Sequence, residues 1–553
     1  MHCVENRLRS CKLQRYLGGN LMFMESLRRA TAGVAFSLAV FASILAGASP
    51  VAAQFTEVGF EAGVQFSQQF EPLVPYGGGA AWGDFDRDGV LDLLLTQAVG
   101  CNRLFLGEGD GTFSLVADAQ VAACSLTTRG VAVADYDNDG DSDIYLTAFG
   151  TNRLLENRIV PTGSLAFVDV SDTSGISADG GGNSGSAAWG DYDRDGHLDL
   201  FVTNHAPVIP PLFCQPDLLW HNNGDGTFTD VADELGIAVG GDQGVPGCGL
   251  AATWSDYDRD GDVDLMVVND FGQSFTPNRL FRNDGPHPTL PWAFTDVSRE
   301  SGFDYQMFGM GIAKGDLDHD GDLDYYMADI GPNNLAVNAG DGTFVESAEA
   351  AGVLASDVET WLGEGLVSWG VGFFDLDLDS WEDLIVTNGG APDDAFPNMF
   401  GFSYVDLNPN YIYRNRGDGT FAERHLQIGI DSEGFHRSFV AADYDGDGDI
   451  DLHFGTLSGI NRLYRNDQQS DRHWLKIRLE GTIGNRDAYG ARVLIVADGT
   501  KQQREVDGGS SFLGRHDPTL HFGLGSSDTV DRIRVRFLSG ETIELRDVRQ
   551  IKR

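Results

Sequence analysis

The sequence predicts an all-β fold: a seven-bladed β-propeller followed by a small C-terminal β-sandwich-like domain. Three observations predict it. A nine-residue acidic pattern, D-x-D-x-D-G-x-x-D, occurs seven times, the sixth copy with Ser in place of Gly, with starts 51 to 68 residues apart. A second signature follows each copy, as in Asn102-Arg103-Leu104-Phe105 and Asn278-Arg279-Leu280-Phe281, and it commonly runs into a hairpin turn of the form Asn222 to Phe228. The 71 glycines and the density of turns exclude a helical solenoid, leaving four short strands per unit in a ring of repeats.

Taken in chain order, Met24 to Ala53 reads as a secretory signal. Arg28 and Arg29 give the positive region, Val34 to Ala46 the apolar region, and Val51-Ala52-Ala53 the small-residue cleavage site before Gln54. Residues 1–23 read as an over-long start upstream of Met22 or Met24. The expected division is thus 1–53 signal peptide, 54–466 propeller and 467–553 C-terminal domain. No other stretch is long and apolar enough to span a bilayer, so the mature chain is expected to be secreted or periplasmic through a Sec-type signal, and monomeric.

Each unit reads as a Gly-rich strand into the acidic loop, an apolar strand out of it, the Asn-Arg-Leu strand, and a strand after Gly-Thr-Phe. The seventh unit stops at Asn466 without its last strand, while the mature N-terminus opens with Phe55-Thr56-Glu57-Val58, like Phe228-Thr229-Asp230-Val231. The first strand is therefore expected to complete the last blade and leave no open sheet edge. Cys101 and Cys124, then Cys214 and Cys248, occupy the same places in two units, which predicts disulfides Cys101–Cys124 and Cys214–Cys248.

The acidic loops predict calcium. Carboxylates at positions 1, 3 and 5 converge, Gly at 6 permits a sharp turn, and the carbonyl at 7 with Asp at 9 completes an oxygen cage suited to Ca²⁺. The expected ligands are Asp84, Asp86, Asp88, Val90 and Asp92; Asp135, Asp137, Asp139, Asp141 and Asp143; Asp191, Asp193, Asp195, His197 and Asp199; Asp256, Asp258, Asp260, Asp262 and Asp264; Asp316, Asp318, Asp320, Asp322 and Asp324; Asp375, Asp377, Asp379, Trp381 and Asp383; and Asp443, Asp445, Asp447, Asp449 and Asp451. The sixth loop carries Ser380 in place of Gly, so it is expected to bind more weakly or not at all. Each ion is read as a structural staple. The 83 acidic against 38 basic residues, a net charge of -45, argue against nucleic acid as a partner.

Loops of this form after strands such as Gly77-Gly78-Gly79-Ala80-Ala81-Trp82-Gly83-Asp84 resemble the FG-GAP (VCBS) repeats of the integrin α-subunit head. Gly484-Asn485-Arg486-Asp487-Ala488-Tyr489-Gly490-Ala491-Arg492-Val493 and Leu520-His521-Phe522-Gly523-Leu524-Gly525 look like the ASPIC/UnbV domain. The layout is similar to that of the cartilage acidic protein family and its bacterial relatives. The resemblance implies secretion, calcium binding and adhesion or matrix-type interaction in animals, and in bacteria little beyond an association of UnbV-type proteins with natural-product clusters; it names no ligand.

No Walker A sequence, nucleophile elbow, zincin motif or dinucleotide fingerprint is present. Lys314, the propeller's one lysine, stands where other units have Trp82, Trp189 and Trp254, and is the place to look for a base. Phe396, Phe400, Phe402 and Tyr404 in an insertion, a Pro-rich loop around Cys214, and the arginine face of Arg532, Arg534 and Arg536 are candidate contact surfaces, the last for the acidic propeller. The leading expectation is a non-catalytic binder of an extracellular protein or glycan. The alternatives are a carbohydrate-active lyase or hydrolase, favoured by a channel pocket grouping Lys314, a His and an Arg, and an accessory role in secondary-metabolite assembly.

Overall fold

The computed structural model describes residues 54–549, apart from 70–75, 179–181, 206–213, 239–245, 273–274, 289–291, 356–366, 391–407, 431–432 and 469. The signal region and the aromatic insertion lie outside the described residues. From Phe55 to Asn466 the chain forms seven four-stranded sheets, each an antiparallel meander. The inner strands Ala80–Gly83, Thr127–Ala134, Ser184–Gly190, Cys248–Ser255, Gly309–Gly315, Ser368–Phe374 and His436–Ala442 neighbour one another in that order, and the last returns to the first. This is a closed β-propeller. Small side chains dominate these strands because the sheets converge on the axis.

Adjacent sheets are keyed by aromatic pairs. The Trp two residues before an acidic loop stacks on the Tyr at position 2 of the preceding loop: Trp82 on Tyr444, Trp189 on Tyr136 and Trp254 on Tyr192, at 5.9, 6.4 and 6.3 Å between ring centres. Ring closure follows the expectation. Phe55–Glu57 pairs antiparallel with Arg462–Asn466, Phe55 facing Asn466. Both expected disulfides are formed, Cys101–Cys124 and Cys214–Cys248.

The C-terminal region builds a two-stranded sheet, His473–Ile477 with Leu520–Gly525, and a four-stranded sheet of Thr500–Glu505, Arg492–Ala497, Thr529–Arg536 and Thr542–Arg549. It does not stand apart: residues 54–553 form one compact unit. Between Glu505 and Leu520 the chain leaves the domain and fills the propeller axis. There it bonds to the inner strand of every sheet. Arg515 N donates to Ala80 O at 3.0 Å, Val131 N to Leu513 O at 3.3 Å, and Trp189 N to Gly508 O at 3.1 Å. Ser511 N donates to Ile312 O at 2.6 Å, and the Ser511 hydroxyl lies between Val371 N and Phe439 O, 3.2 Å from each. The fourth sheet is reached by Thr253 Oγ1 at 3.4 Å from Asp507. A side chain at Gly508 would sit 2.0 Å from the Trp189 carbonyl, so only glycine allows this approach. Phe512 and Leu513 are fully buried.

Candidate metal centres

Each acidic loop links an inner strand to the second strand of its sheet, and the aspartate at position 9 is the first residue of that second strand, as in Asp92–Leu95 and Asp264–Asp270. The turn is built by the loop's own carboxylates. In the first loop Asp88 N donates to Asp86 at 3.2 Å, Val90 N to Asp88 at 2.8 Å and Gly89 N to Asp84 at 3.2 Å. Two residues per loop have positive φ. Position 6 is expected from its glycine, for example Gly261 at 106°. Position 4 is not: Arg87, Asn138, Arg194, Arg259, His319 and Leu378 all lie between 57 and 64°.

Position 9 braces the sheet through both of its oxygens. One Asp92 oxygen accepts from Phe85 N at 2.8 Å in the loop, the other from Gly107 N at 3.0 Å on the third strand. The same brace recurs through Asp264, which accepts from Tyr257 N and Asn283 N. The asparagine at or near the end of the third strand then crosses to the preceding sheet. Asn157 donates to Phe85 O, Asn222 to Tyr136 O, Asn283 to Tyr192 O, Asn338 to Tyr257 O, Asn415 to Leu317 O and Asn466 to Leu376 O, at 2.8 to 3.1 Å. At position 4, Arg194 pairs with Asp262 of the next loop at 2.7 Å and Arg259 with Asp322 at 2.8 Å. Two position-7 acids, Asp262 and Asp322, therefore link loop to loop through their side chains.

The carboxylates converge as the spacing predicts. Asp84, Asp86 and Asp92, then Asp135, Asp137 and Asp143, bring oxygens within 4.8 Å of one another, as do Asp191, Asp193 and Asp195, and Asp256, Asp258 and Asp260. His221 from the third strand joins Asp193 and Asp199, 3.1 Å from the latter. One oxygen each of Asp84, Asp135, Asp256 and Asp443 is buried without a hydrogen-bond donor. Burial, reinforced by neighbouring carboxylates, pushes Asp135 up to about 8 and Asp92 up to about 7. Unpaired buried oxygens on clustered carboxylates fit a hard divalent cation, which would be held by positions 1, 3, 5 and 9 with the position-7 carbonyl.

The C-terminal domain sits on this same acidic end. Arg492 lies 3.6 Å from Asp256, Lys476 2.7 Å from Asp443 and Arg486 3.5 Å from Asp135; Asn485 and Gln503 N donate to Asp191 and Asp316. The charges across the contact are complementary, and most of the cations lie outside the Arg532 to Arg536 face. Of Arg532, Arg534 and Arg536, only the last comes against an acidic loop, beside Gly261.

Repeats of four strands, loops of this chemistry and the C-terminal sheet agree with the comparisons. The FG-GAP-like repeat profile matches residues 84–146, 139–202, 256–327, 316–386 and 393–454, more than half of the chain. The chain belongs to the FG-GAP-like repeat family. Residues 481–552 match the ASPIC and UnbV profile. The FG-GAP chain is 25% identical to cartilage acidic protein 1 of Homo sapiens over 472 residues, 75% of this chain and 69% of that protein, and 24% identical to the Mus musculus protein over 75% and 71%. Among solved structures it resembles an Agrocybe aegerita lectin that recognises non-reducing terminal N-acetylglucosamine (17% identity, 70% of this chain and 94% of that chain, TM-score 0.39) and the rhamnogalacturonan lyase YesW (15%, 71% and 72%, TM-score 0.34).

Lys314, singled out as a candidate base, lines a cavity of about 100 Å³ between the fifth and sixth sheets and the C-terminal domain, together with Arg504, Glu505, His516 and His521. The FG-GAP propeller thus groups a Lys, a His and an Arg at its axis. The lysine, however, is spoken for. Its ammonium donates to Trp254 O at 2.7 Å and Glu505 at 2.8 Å and lies 3.3 Å from Asp507. Burial lowers its pKa, but Asp507 and Glu505 outweigh that and leave it raised. Burial holds His516 down at about 4.

Proposed function

We propose that the protein is a secreted, calcium-stabilised propeller that binds an extracellular protein or glycan and carries no catalytic centre in its channel. The observation that carries this reading is the axial segment from Asp507 to Arg515, bonded to all seven inner strands. A propeller enzyme needs its axis or an open mouth for substrate, and here the axis is filled with protein while the acidic end is covered by the C-terminal domain. Binding is left to the rim and the opposite end. There Tyr76, Arg129, His205, Asp270, Trp369 and Arg437 form a buried polar and aromatic ring, with Arg129 4.1 Å from the Tyr76 ring centre and Arg437 3.9 Å from that of Trp369. Calcium is assigned from the convergent carboxylates and their unpaired oxygens, secretion from the N-terminal pattern and the two disulfides.

The enzyme reading draws support from the cavity beside Lys314. A general base there would need a lysine with a lowered pKa and a free lone pair, and an ammonium held by three acceptors supplies neither. The test is a melting curve with calcium and with chelator, followed by a glycan array and a protein-partner screen on the calcium-loaded chain. A melting temperature indifferent to chelator refutes the calcium assignment. Cleavage of a polysaccharide that is lost in Lys314→Met would replace the binding function with a catalytic one.

A further inference from the structure

We propose that the sixth acidic loop takes no ion because Arg414 supplies its cation, and that this makes the closing seam of the ring independent of calcium. The inference rests on the calcium assignment for the other loops. Arg414 stands on the third strand, Tyr411–Asn415, in the place held by Leu106, Glu156, His221, Arg282, Val337 and Arg465 in the other sheets. The two other arginines there pair with a carboxylate outside the loop, Arg282 with Asp284 and Arg465 with Asp467, while the His221 ring lies 3.1 Å from the position-9 carboxylate of Asp199. The Arg414 guanidinium turns in. Its Nη1 donates to the position-9 carboxylate of Asp383 and lies 3.6 Å from the position-3 carboxylate of Asp377. It therefore stands between two of the groups that would grip an ion, with its side chain 13% exposed.

The loop's own bonding has changed to match. In the other six loops the position-5 amide donates to the position-3 carboxylate, as Asp88 to Asp86 and Asp320 to Asp318. In the sixth, Asp379 N donates instead to Asp375 at 3.0 Å, and Ser380 N to the other Asp375 oxygen at 2.7 Å. Both oxygens of the first aspartate are thereby satisfied by its own loop, whereas Asp84, Asp135, Asp256 and Asp443 each leave one unpaired. Asp377, released from its turn, takes Arg472 at 2.7 Å as a second guanidinium. A charge that an ion would neutralise is already neutralised by covalently held cations.

The position of this loop gives the substitution a purpose. Arg414 Nη2 donates to Gln54 at 2.6 Å, the residue that leads into the closing strand Phe55–Glu57. Gln54 in turn bonds Leu376 O, Asn466 and Gln468, and Gln468 bonds Asp377 O. One arginine thus ties the sixth loop to the seam where the chain's first strand meets residues 462–466. An ion there would make closure depend on free calcium; a guanidinium does not.

The experiment counts tightly bound calcium by native mass spectrometry on the full chain after exchange into calcium buffer. The double substitution Arg414→Val/Ser380→Gly copies the Val337 arrangement of the fifth sheet and restores the turn glycine, and should gain one ion over the parent. As a reciprocal arm, Val337→Arg should lose one. Equal counts in the parent and the double variant, with no loss in Val337→Arg, overturn the proposal. A second readout is independent of any count: hydrogen exchange at Phe55–Glu57 in chelator should stay slow in the parent and accelerate at least tenfold in Arg414→Val. If the parent's strand opens on chelation alone, the seam needs calcium and the proposal fails. If the parent binds no calcium anywhere, the assignment for the other loops fails, and the exchange arm alone decides the role of Arg414.

Discussion

Replacing Lys314 with Met removes a propeller cation that pairs with Glu505 and Asp507, where the axial segment begins. Its side chain is 7% exposed, and Glu505, its nearest carboxylate, has a fully buried side chain. Breaking a buried pair by deleting one partner costs about 3–5 kcal/mol, because the other charge stays buried. Glu505 keeps Arg492 at 3.4 Å, and Asp507 is 24% exposed, so the loss should fall at the low end, about 3 kcal/mol. That is on the order of a hundredfold in the equilibrium that releases the axial segment, at about 1.4 kcal/mol per tenfold. Amide exchange reads this directly. The Ser511 and Arg515 amides bond to Ile312 and Ala80, so both should exchange roughly a hundredfold faster while the outer strands keep their protection. Adding Glu505→Gln should recover part of the loss, since it removes the stranded charge. Unchanged exchange at Ser511 and Arg515 in Lys314→Met would show that the ammonium is not what holds the segment, and the structural reading of this lysine would fall with it.

Three further outcomes can be checked. Without divalent ions, Asp92, Asp135 and Asp191 hold protons to about pH 7 or 8 in the folded chain, against 3.8 when unfolded, so folding takes up protons and stability should fall as pH rises across that window. With saturating calcium the slope should reverse, because protons and calcium compete for the same oxygens; melts from acidic to neutral pH that run parallel in chelator and calcium contradict this. Asn283→Ala should cost about 1–3 kcal/mol in denaturant unfolding, by leaving the carbonyls of Tyr192 and Val263 buried and unpaired; a change under a few tenths refutes the role of these asparagines as ties between sheets. Reduction of Cys101–Cys124 and Cys214–Cys248 should destabilise the chain by about 2–4 kcal/mol per bridge, read as a lower denaturation midpoint with thiol present.

The parts of the fold that the sequence made legible are those whose information is local. An aspartate at every second position, a glycine at the sixth and an apolar strand at once afterwards fix a loop and the start of a strand without reference to anything distant. Ring closure was legible for the same reason: Phe55-Thr56-Glu57-Val58 repeats a pattern found at the end of other units. The axial segment was not. Gly508 to Gly514 is a short glycine- and serine-rich stretch around Phe512 and Leu513 with no period, and its partners are seven strands spread over more than 350 residues. Arg414 was hidden differently. It shares its column with Arg282 and Arg465, and only the fold shows which of the three guanidiniums turns toward its own loop. The asparagine ties lay between: Asn157 and its counterparts stood in plain view as a repeat, but a repeat does not say that the bond runs to the sheet before.

The two ends of the ring impose an order on assembly. Gln54 bonds Asn466 across a separation of 412 residues, and the axial segment needs all seven inner strands before it has anything to bond to. A chain emerging from the N-terminus therefore holds its first strand unpaired until the last sheet exists, and then admits the segment that locks the axis almost at the end. Six sheets can form from neighbours alone, but the molecule becomes resistant to unravelling in one late step. Truncation before residue 506 should yield a ring that is spelled correctly and yet opens easily, a dependence of kinetic persistence on the last tenth of the chain.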